Sequence, residues 1–182
     1  MNYCSNCGRQ LTYRRPPGDD RSRHCCEACG VIHYQNPLMV VGCIPEREKE
    51  ILLCRRSIEP RCGMWTLPAG YLENGETVAA GAARESYEEA RAKVDQLAPY
   101  ALYNICYVNQ IYFMFRARLV DHSFRPGSES LEVKLFAENE IPWEDIAFRV
   151  IQETLRQYFK DRPSGKFPFY IGEIHSNRLT AE

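Results

Sequence analysis

No apolar run in this 182-residue chain is long enough to cross a bilayer: the longest without a polar or charged residue covers positions 38–44, against the roughly 18–20 residues a span requires. The N-terminal MNYCSNCGRQ lacks a basic segment followed by an apolar stretch, so neither an export leader nor a membrane anchor is expected. Excess charge is lacking too. Lys and Arg number 23 against 24 Asp and Glu, and a net charge of −1 gives no field that would gather polyanions. The first thirty residues are only mildly basic, with five Arg against Asp19, Asp20 and Glu27, so nucleic acid is not the expected partner. Nine cysteines is an odd number, and without a leader it argues against a disulfide framework and for a reducing, cytoplasmic setting. The thiols are left to metal binding and core packing. No internal repeat is present.

The chain does have enough apolar material for a core: 45% of it is hydrophobic, which at this length suits one domain plus a small appendage. Composition changes near residue 36. Residues 1–35 hold Cys4, Cys7, Cys25, Cys26 and Cys29 around the polar RRPPGDDRSR, and apolar periodicity begins in 36–182.

In that second part PLMVVGCI and EILLCRR read as a hairpin turning at 46–49, and MWTLPAG as a short strand closed by Pro68 and Gly70. Residues 77–90 read as a helix with Thr77 as N-cap and an Ala-rich interior. PYALYNICYV and QIYFMFRARLV are strand-like runs joined near Asn109, and EVKLFAENEIP is a strand running into a turn. Apolar residues at 148, 151, 155, 158 and 159 have helical spacing. Strands and helices in mixed order imply an α/β fold, a sheet with helices on its faces.

The helix at 77–90 carries two stripes. Ala79, Ala82, Ala83, Ser86 and Ala90 share one side, whose small residues allow close packing on a sheet. Glu85, Glu88 and Glu89 share a face about 100° wide beside it. Like charges at i,i+4 cost a helix roughly 0.2–0.5 kcal/mol per pair, and only Arg84 and Arg91 are near as counter-charges. Such a face is either a solvated surface or a site with a use for clustered carboxylates.

The cysteines fall into a second pattern. Cys4-x2-Cys7 and Cys26-x2-Cys29, each followed by Gly, have the spacing of a four-thiolate structural zinc site. Cys25 breaks the two-residue spacing, and His24 and His33 are alternatives that four thiolates make unnecessary. So short a segment cannot fold on its own apolar content, and zinc would supply much of its folding free energy. Cys43, Cys54, Cys62 and Cys106 lie in or beside apolar runs and are expected to pack as small hydrophobes.

From Gly70 the spacing is Gly, five residues, Glu76, seven residues, Arg84-Glu85, two residues, Glu88-Glu89. This resembles the Nudix box of hydrolases that cleave nucleoside diphosphates linked to another group. With CxxCG twice, YQNPLMVVGC, GMWTLPAGYLENGET and SLEVKLF, the chain is most similar to the Nudix branch with an N-terminal zinc ribbon, and within it to the FAD diphosphatase group. The resemblance implies a Nudix α/β/α sandwich around a mixed sheet over 36–182 after a zinc ribbon over 1–35. It also implies Mg²⁺ or Mn²⁺ dependence and cleavage of a dinucleotide, FAD to FMN and AMP. Glu88 and Glu89 would be the principal ligands, the Gly70 carbonyl another, Glu85 a ligand or the base, and Arg84 the residue orienting the glutamates. Hard divalent cations accept such a set, which answers why the acidic face exists.

Two positions depart from the family pattern: Ser86 stands where an aliphatic residue is usual, and Arg91 where a Gly usually ends the helix. Ser86 can bond back to a helix carbonyl, and Arg91 can turn left-handed at a cost of about 1–2 kcal/mol. A further metal carboxylate is expected from Glu129 or Glu132, with Glu132 preferred because it directly precedes a strand. Tyr103, Tyr107, Tyr112, Phe113 and Phe115 are candidates for ring contacts. The tail FPFYIGEIHSN is expected to pair with a sheet edge, close the cleft or contact a second subunit, and a homodimer is implied by analogy.

NADH and ADP-ribose are the rival substrates, although the Ser-Gln-Pro-Trp-Pro-Phe-Pro run usual in NADH pyrophosphatases is absent. A zinc-ribbon regulator using the domain as a ligand sensor is the rival class. The intact set of glutamates favours the enzyme.

Overall fold

The computed structural model describes residues 1–176, which form two compact units, Met1–Asn36 and one from Pro37 onward. The first holds a three-stranded antiparallel sheet of β1 (Thr12–Arg14), β2 (Arg23–Cys25) and β3 (Ile32–His33). Its only buried residues are Pro16, Cys4, Cys25 and Cys26, so it has almost no apolar core.

The second unit is built on a mixed sheet. A hairpin joins β4 (Leu38–Arg47) to β5 (Glu50–Arg56), with Glu48 at positive φ in its turn. The segment expected to be one strand is two, β6 (Trp65–Thr66) and β7 (Ala69–Tyr71), because Leu67-Pro68 carries the chain from a partner in β5 to a partner in β4. After α1 (Val78–Ala90) come β8 (Val94–Ile105), β9 (Gln110–Leu119), β10 (Ser130–Ala137), α2 (Arg149–Asp161) and β11 (Tyr170–Glu173). The strand order is β10-β5-β4-β9-β8-β11, with β4–β9 and β8–β11 parallel. β8 starts five residues before the PYALYNICYV run; two register shifts let this polar early part stay paired with β9.

Side-chain parity divides the sheet between the helices. Val41, Cys43, Phe115 and Ala117 pack with Ala82 of α1, whereas Ile44, Tyr100 and Met114 pack with Val150, Ile151, Leu155 and Tyr158 of α2. Helices therefore cover both faces, giving the α/β/α arrangement.

Three local features hold α1 in place. The Thr77 hydroxyl accepts from Ala80 N–H at 3.1 Å, capping the start. The Ser86 hydroxyl donates to the Ala82 carbonyl at 3.0 Å, so a polar residue sits fully buried where an aliphatic one is usual. Arg91 adopts φ 50° and ψ 20°, and its N–H closes onto the Ser86 and Tyr87 carbonyls as a left-handed cap.

The tail pairs with the sheet edge: β11 runs parallel to β8 with Gly172 opposite Tyr103. A Cβ at Gly172 would stand 3.0 Å from the Tyr103 ring, so glycine permits this approach. Asn177, the last residue of FPFYIGEIHSN, lies outside the described residues. No described helix is long and apolar enough to cross a membrane.

Candidate functional site

The acidic face begins with close backbone packing. β7 lies against β4, pairing Val41 with Gly70 and Gly42 with Ala69, and α1 packs on the same strand. A Cβ at Gly70 would sit 2.3 Å from a carboxylate oxygen of Glu85, so only glycine leaves this carboxylate room against the backbone.

Arg84 spans the upper rim. Its Nε and Nη2 donate to the two oxygens of Glu76 at 3.1 and 2.8 Å, and Nη1 donates to Glu85 at 2.6 Å and Glu88 at 2.9 Å. Nη2 also donates to the Tyr71 carbonyl at 3.0 Å. The Arg84 guanidinium, helped by the Glu73 N–H, holds the Glu76 carboxyl down to about 2. Arg84 itself is shifted further up, chiefly by Glu76. Glu76 thus anchors the arginine, a role its place in the motif spacing did not disclose.

Glu85 and Glu89 are buried on α1 while Glu88 is exposed. Burial pushes Glu85 up in spite of Arg84, and burial followed by repulsion from Glu85 pushes Glu89 to about 8. Glu89 Oε2 is buried with no hydrogen-bond partner. An orphaned carboxylate oxygen in such a place costs free energy unless a proton or cation meets it. These hard oxygen donors, on a cavity wall that Gly70 shares, fit a hard divalent cation.

Glu129 and Glu132 separate clearly. Loop residues 121–129 return to the C-terminal end of α1, where Arg125 N–H donates to the Ala90 carbonyl at 2.8 Å and Gly127 N–H to the Glu89 carbonyl at 2.9 Å. A Cβ at Gly127 would fall 1.7 Å from the Glu88 carbonyl oxygen, so the contact depends on glycine. Glu129 is thereby carried to the site and adds repulsion to both Glu85 and Glu89. The preference for Glu132 is corrected: past a register shift in β10 it pairs with Arg55 at 3.7 Å and does not line the cavity.

That cavity has a volume of about 1080 Å³, ample for a dinucleotide. Glu85, Glu88, Glu89 and Glu129 line one part of it, and Arg56, whose guanidinium lies 5.1 Å from the Phe148 ring centre, another. The aromatic candidates also divide. Tyr107 and Tyr112 line the cavity, Tyr103 is buried behind Gly172, and Phe113 and Phe115 face α1. Tyr71, which was not singled out, lines the cavity as well.

In the N-terminal unit the sulfurs of Cys4, Cys7, Cys26 and Cys29 all lie within 4.8 Å of one another. Cys4–Cys29 is 3.7 Å and Cys7–Cys26 3.4 Å, close to the edge of about 3.8 Å that a tetrahedron with Zn–S bonds near 2.3 Å requires. Gly8 and Gly30, both at positive φ, close the knuckles onto the Cys4 and Cys26 carbonyls. The four thiols fit zinc. Cys25 lies apart against the Arg14 and Arg23 carbonyls, and His33 Nε2 sits 3.3 Å from Cys4 Sγ. Of the remaining thiols Cys43 and Cys54 are buried as expected, whereas Cys62 and Cys106 are exposed because both lie in connections outside the strands.

Comparison with known proteins follows this division. The family model described as NUDIX domain matches residues 36–158, and a Nudix zinc-ribbon model described as Nudix N-terminal matches 2–35. The chain belongs to the Nudix family. A crystal structure of a NUDIX hydrolase from Nitrosomonas europaea shares 51% identity with this Nudix chain at a TM-score of 0.94, covering 97% of this chain and 100% of that one. A NAD-capped RNA hydrolase NudC from Vibrio vulnificus is 26% identical over 85% of this chain and 59% of its own length. An ADP-ribose pyrophosphatase from Methanocaldococcus jannaschii is 41% identical over 31% of this chain and 33% of its own. The Nudix chain spans about one third to six tenths of the curated relatives it matches. None of these three is named for FAD.

Proposed function

We propose that this protein is a divalent-metal-dependent diphosphatase that cleaves the pyrophosphate of an adenosine-containing dinucleotide, with FAD, giving FMN and AMP, as its first candidate substrate. The observation that carries the reading is the buried, unpartnered Glu89 oxygen among Glu85, Glu88 and Glu129 on the wall of a dinucleotide-sized cavity.

Glu88 and Glu89, with the Gly70 carbonyl, would hold Mg²⁺ or Mn²⁺, and Glu129 is the further carboxylate within reach. A bound cation supplies neutralisation of the pyrophosphate charge and a more acidic attacking water. Glu85 is the candidate ligand or base, since burial raises its proton affinity while Arg84 keeps it oriented. Arg84 is a positioning residue: Glu76 holds one side of its guanidinium, and the other side fixes Glu85 and Glu88. Arg56 supplies positive charge to the same cavity. An intact acidic wall favours hydrolysis over a sensor that would have no need of it.

ADP-ribose shares the AMP half and pyrophosphate with FAD and NADH. The relative named for NAD-capped RNA also bears on the exclusion of nucleic acid drawn from charge, so an RNA-linked dinucleotide belongs among the assays. The direct test is FMN release from FAD with Mg²⁺, beside the Glu88→Gln variant. Release by the wild type that is lost in the variant supports the reading. Hydrolysis of ADP-ribose or NADH with FAD untouched moves the substrate, and equal turnover by the variant refutes the site.

A further inference from the structure

The matched Nudix domain model ends at residue 158, but the cavity does not. Twelve residues later the chain re-enters the sheet as β11, and the parallel ladder continues past it: Ile174 N–H donates to the Asn104 carbonyl at 3.0 Å. Ile174 is thereby buried beside Ile105, and the His175 carbonyl accepts from Arg149 Nη1 at 3.2 Å. Both tail residues line the same cavity as the glutamates of α1.

Their neighbours there are flat. Residues opposite one another across paired strands share a face. Tyr71 of β7 and Tyr112 of β9 both stand opposite Val40 of β4, so the three form one row, and all of them line the cavity. Gln110 and Ile105 pair in the adjoining row, and Gln110 Nε2 donates to the Tyr71 hydroxyl at 2.9 Å. Tyr107 projects from the short helical turn between β8 and β9, lines the cavity and is 56% exposed, so its ring is open to a ligand there. Tyr71 joins the two parts of the cavity, since its carbonyl holds Arg84 and its hydroxyl receives Gln110.

We infer that the C-terminal strand completes a docking place for a heterocyclic ring of the substrate, with Tyr107 as the stacking surface, Gln110 as the polar contact, and Ile105 and Ile174 as the apolar wall. This deepens the dinucleotide reading and rests on it. It gives the chain's own tail, beyond the part matched to the family domain, a share in substrate selection through Ile174. The physical grounds are sequence-tolerant stacking on an exposed ring and desolvation by two isoleucines.

The test uses the full-length protein with FAD. Tyr107→Ala should raise KM about tenfold or more with kcat within about twofold, Tyr107→Trp should restore KM, and Ile174→Ala should raise KM several-fold. Binding of FAD to the zinc-loaded protein, followed by flavin fluorescence anisotropy in buffer without Mg²⁺ or Mn²⁺ and without chelator, reads the ring site without any bond being cleaved. Weakened binding in Tyr107→Ala, recovered in Tyr107→Trp, supports the inference even if the wild type hydrolyses nothing, in which case the diphosphatase reading fails alone. A loss confined to kcat, or Trp failing to restore KM, overturns the inference while leaving hydrolysis standing. Absence of both binding and turnover of FAD by the wild type overturns the inference.

Discussion

The ribbon and the acidic face are both arranged for metal, and they are held in opposite ways. In the ribbon four thiols converge although the unit around them buries little besides Pro16 and three cysteines. On α1 the carboxylates are kept together by packing on a sheet and by Arg84, within a unit whose core includes Ile44, Leu53, Met114, Ile151 and Leu155. A site that makes its surroundings fold can be closed and fully coordinated. One that must act on substrate has to exist beforehand and keep a donor in reserve, the role proposed for the unpartnered Glu89 Oε2.

The largest effect should come from breaking the ribbon. Cys7→Ser should abolish zinc retention and the ordered structure of residues 1–36, since zinc in such sites supplies on the order of 10 kcal/mol. Zinc content and amide exchange check this, and the core of the second unit should keep its protection. Next comes Glu89→Gln, expected to lower turnover by about two to four orders of magnitude while leaving that unit's thermal transition in place.

A subtler contrast appears with pH. The folded state holds Glu89 at about 8 against an ordinary 4.5, so it favours the protonated carboxyl. In metal-free protein this contribution is fully present below about 4.5 and is lost as pH rises through about 8. Chemical denaturation across that window should show a decline that Mg²⁺ offsets and Glu89→Gln removes. The smallest effect has the opposite sign: Arg91→Gly should stabilise the second unit by about 1 kcal/mol by relieving the left-handed cap, read from the denaturation midpoint.

What the sequence disclosed was local. The Thr77 cap, the buried Ser86, the left-handed Arg91 and the paired cysteines all follow from spacings within a turn or a knuckle. What it hid depends on strand order and loop return. Glu129 reaches the site because Gly127 lets a loop lie on the last turn of α1, and Glu132 turns away after a register shift. Neither is visible in an exposed glutamate's neighbours. Phe113 and Phe115 were separable from Tyr112 by parity alone, had the partner of β9 been known. Ile174 could not be assigned, since only a parallel ladder with β8 brings it to the cavity.

The most direct test of the reserved donor is a calorimetric titration of Mn²⁺ into the zinc-loaded protein at pH 7, in buffers of different ionisation enthalpy, beside Glu89→Gln. Binding that releases close to one proton in the wild type, and weakens at least tenfold with no proton release in the variant, is the predicted result. Equal affinity and equal proton release in both would contradict the assignment of Glu89 as the carboxylate held ready for a cation.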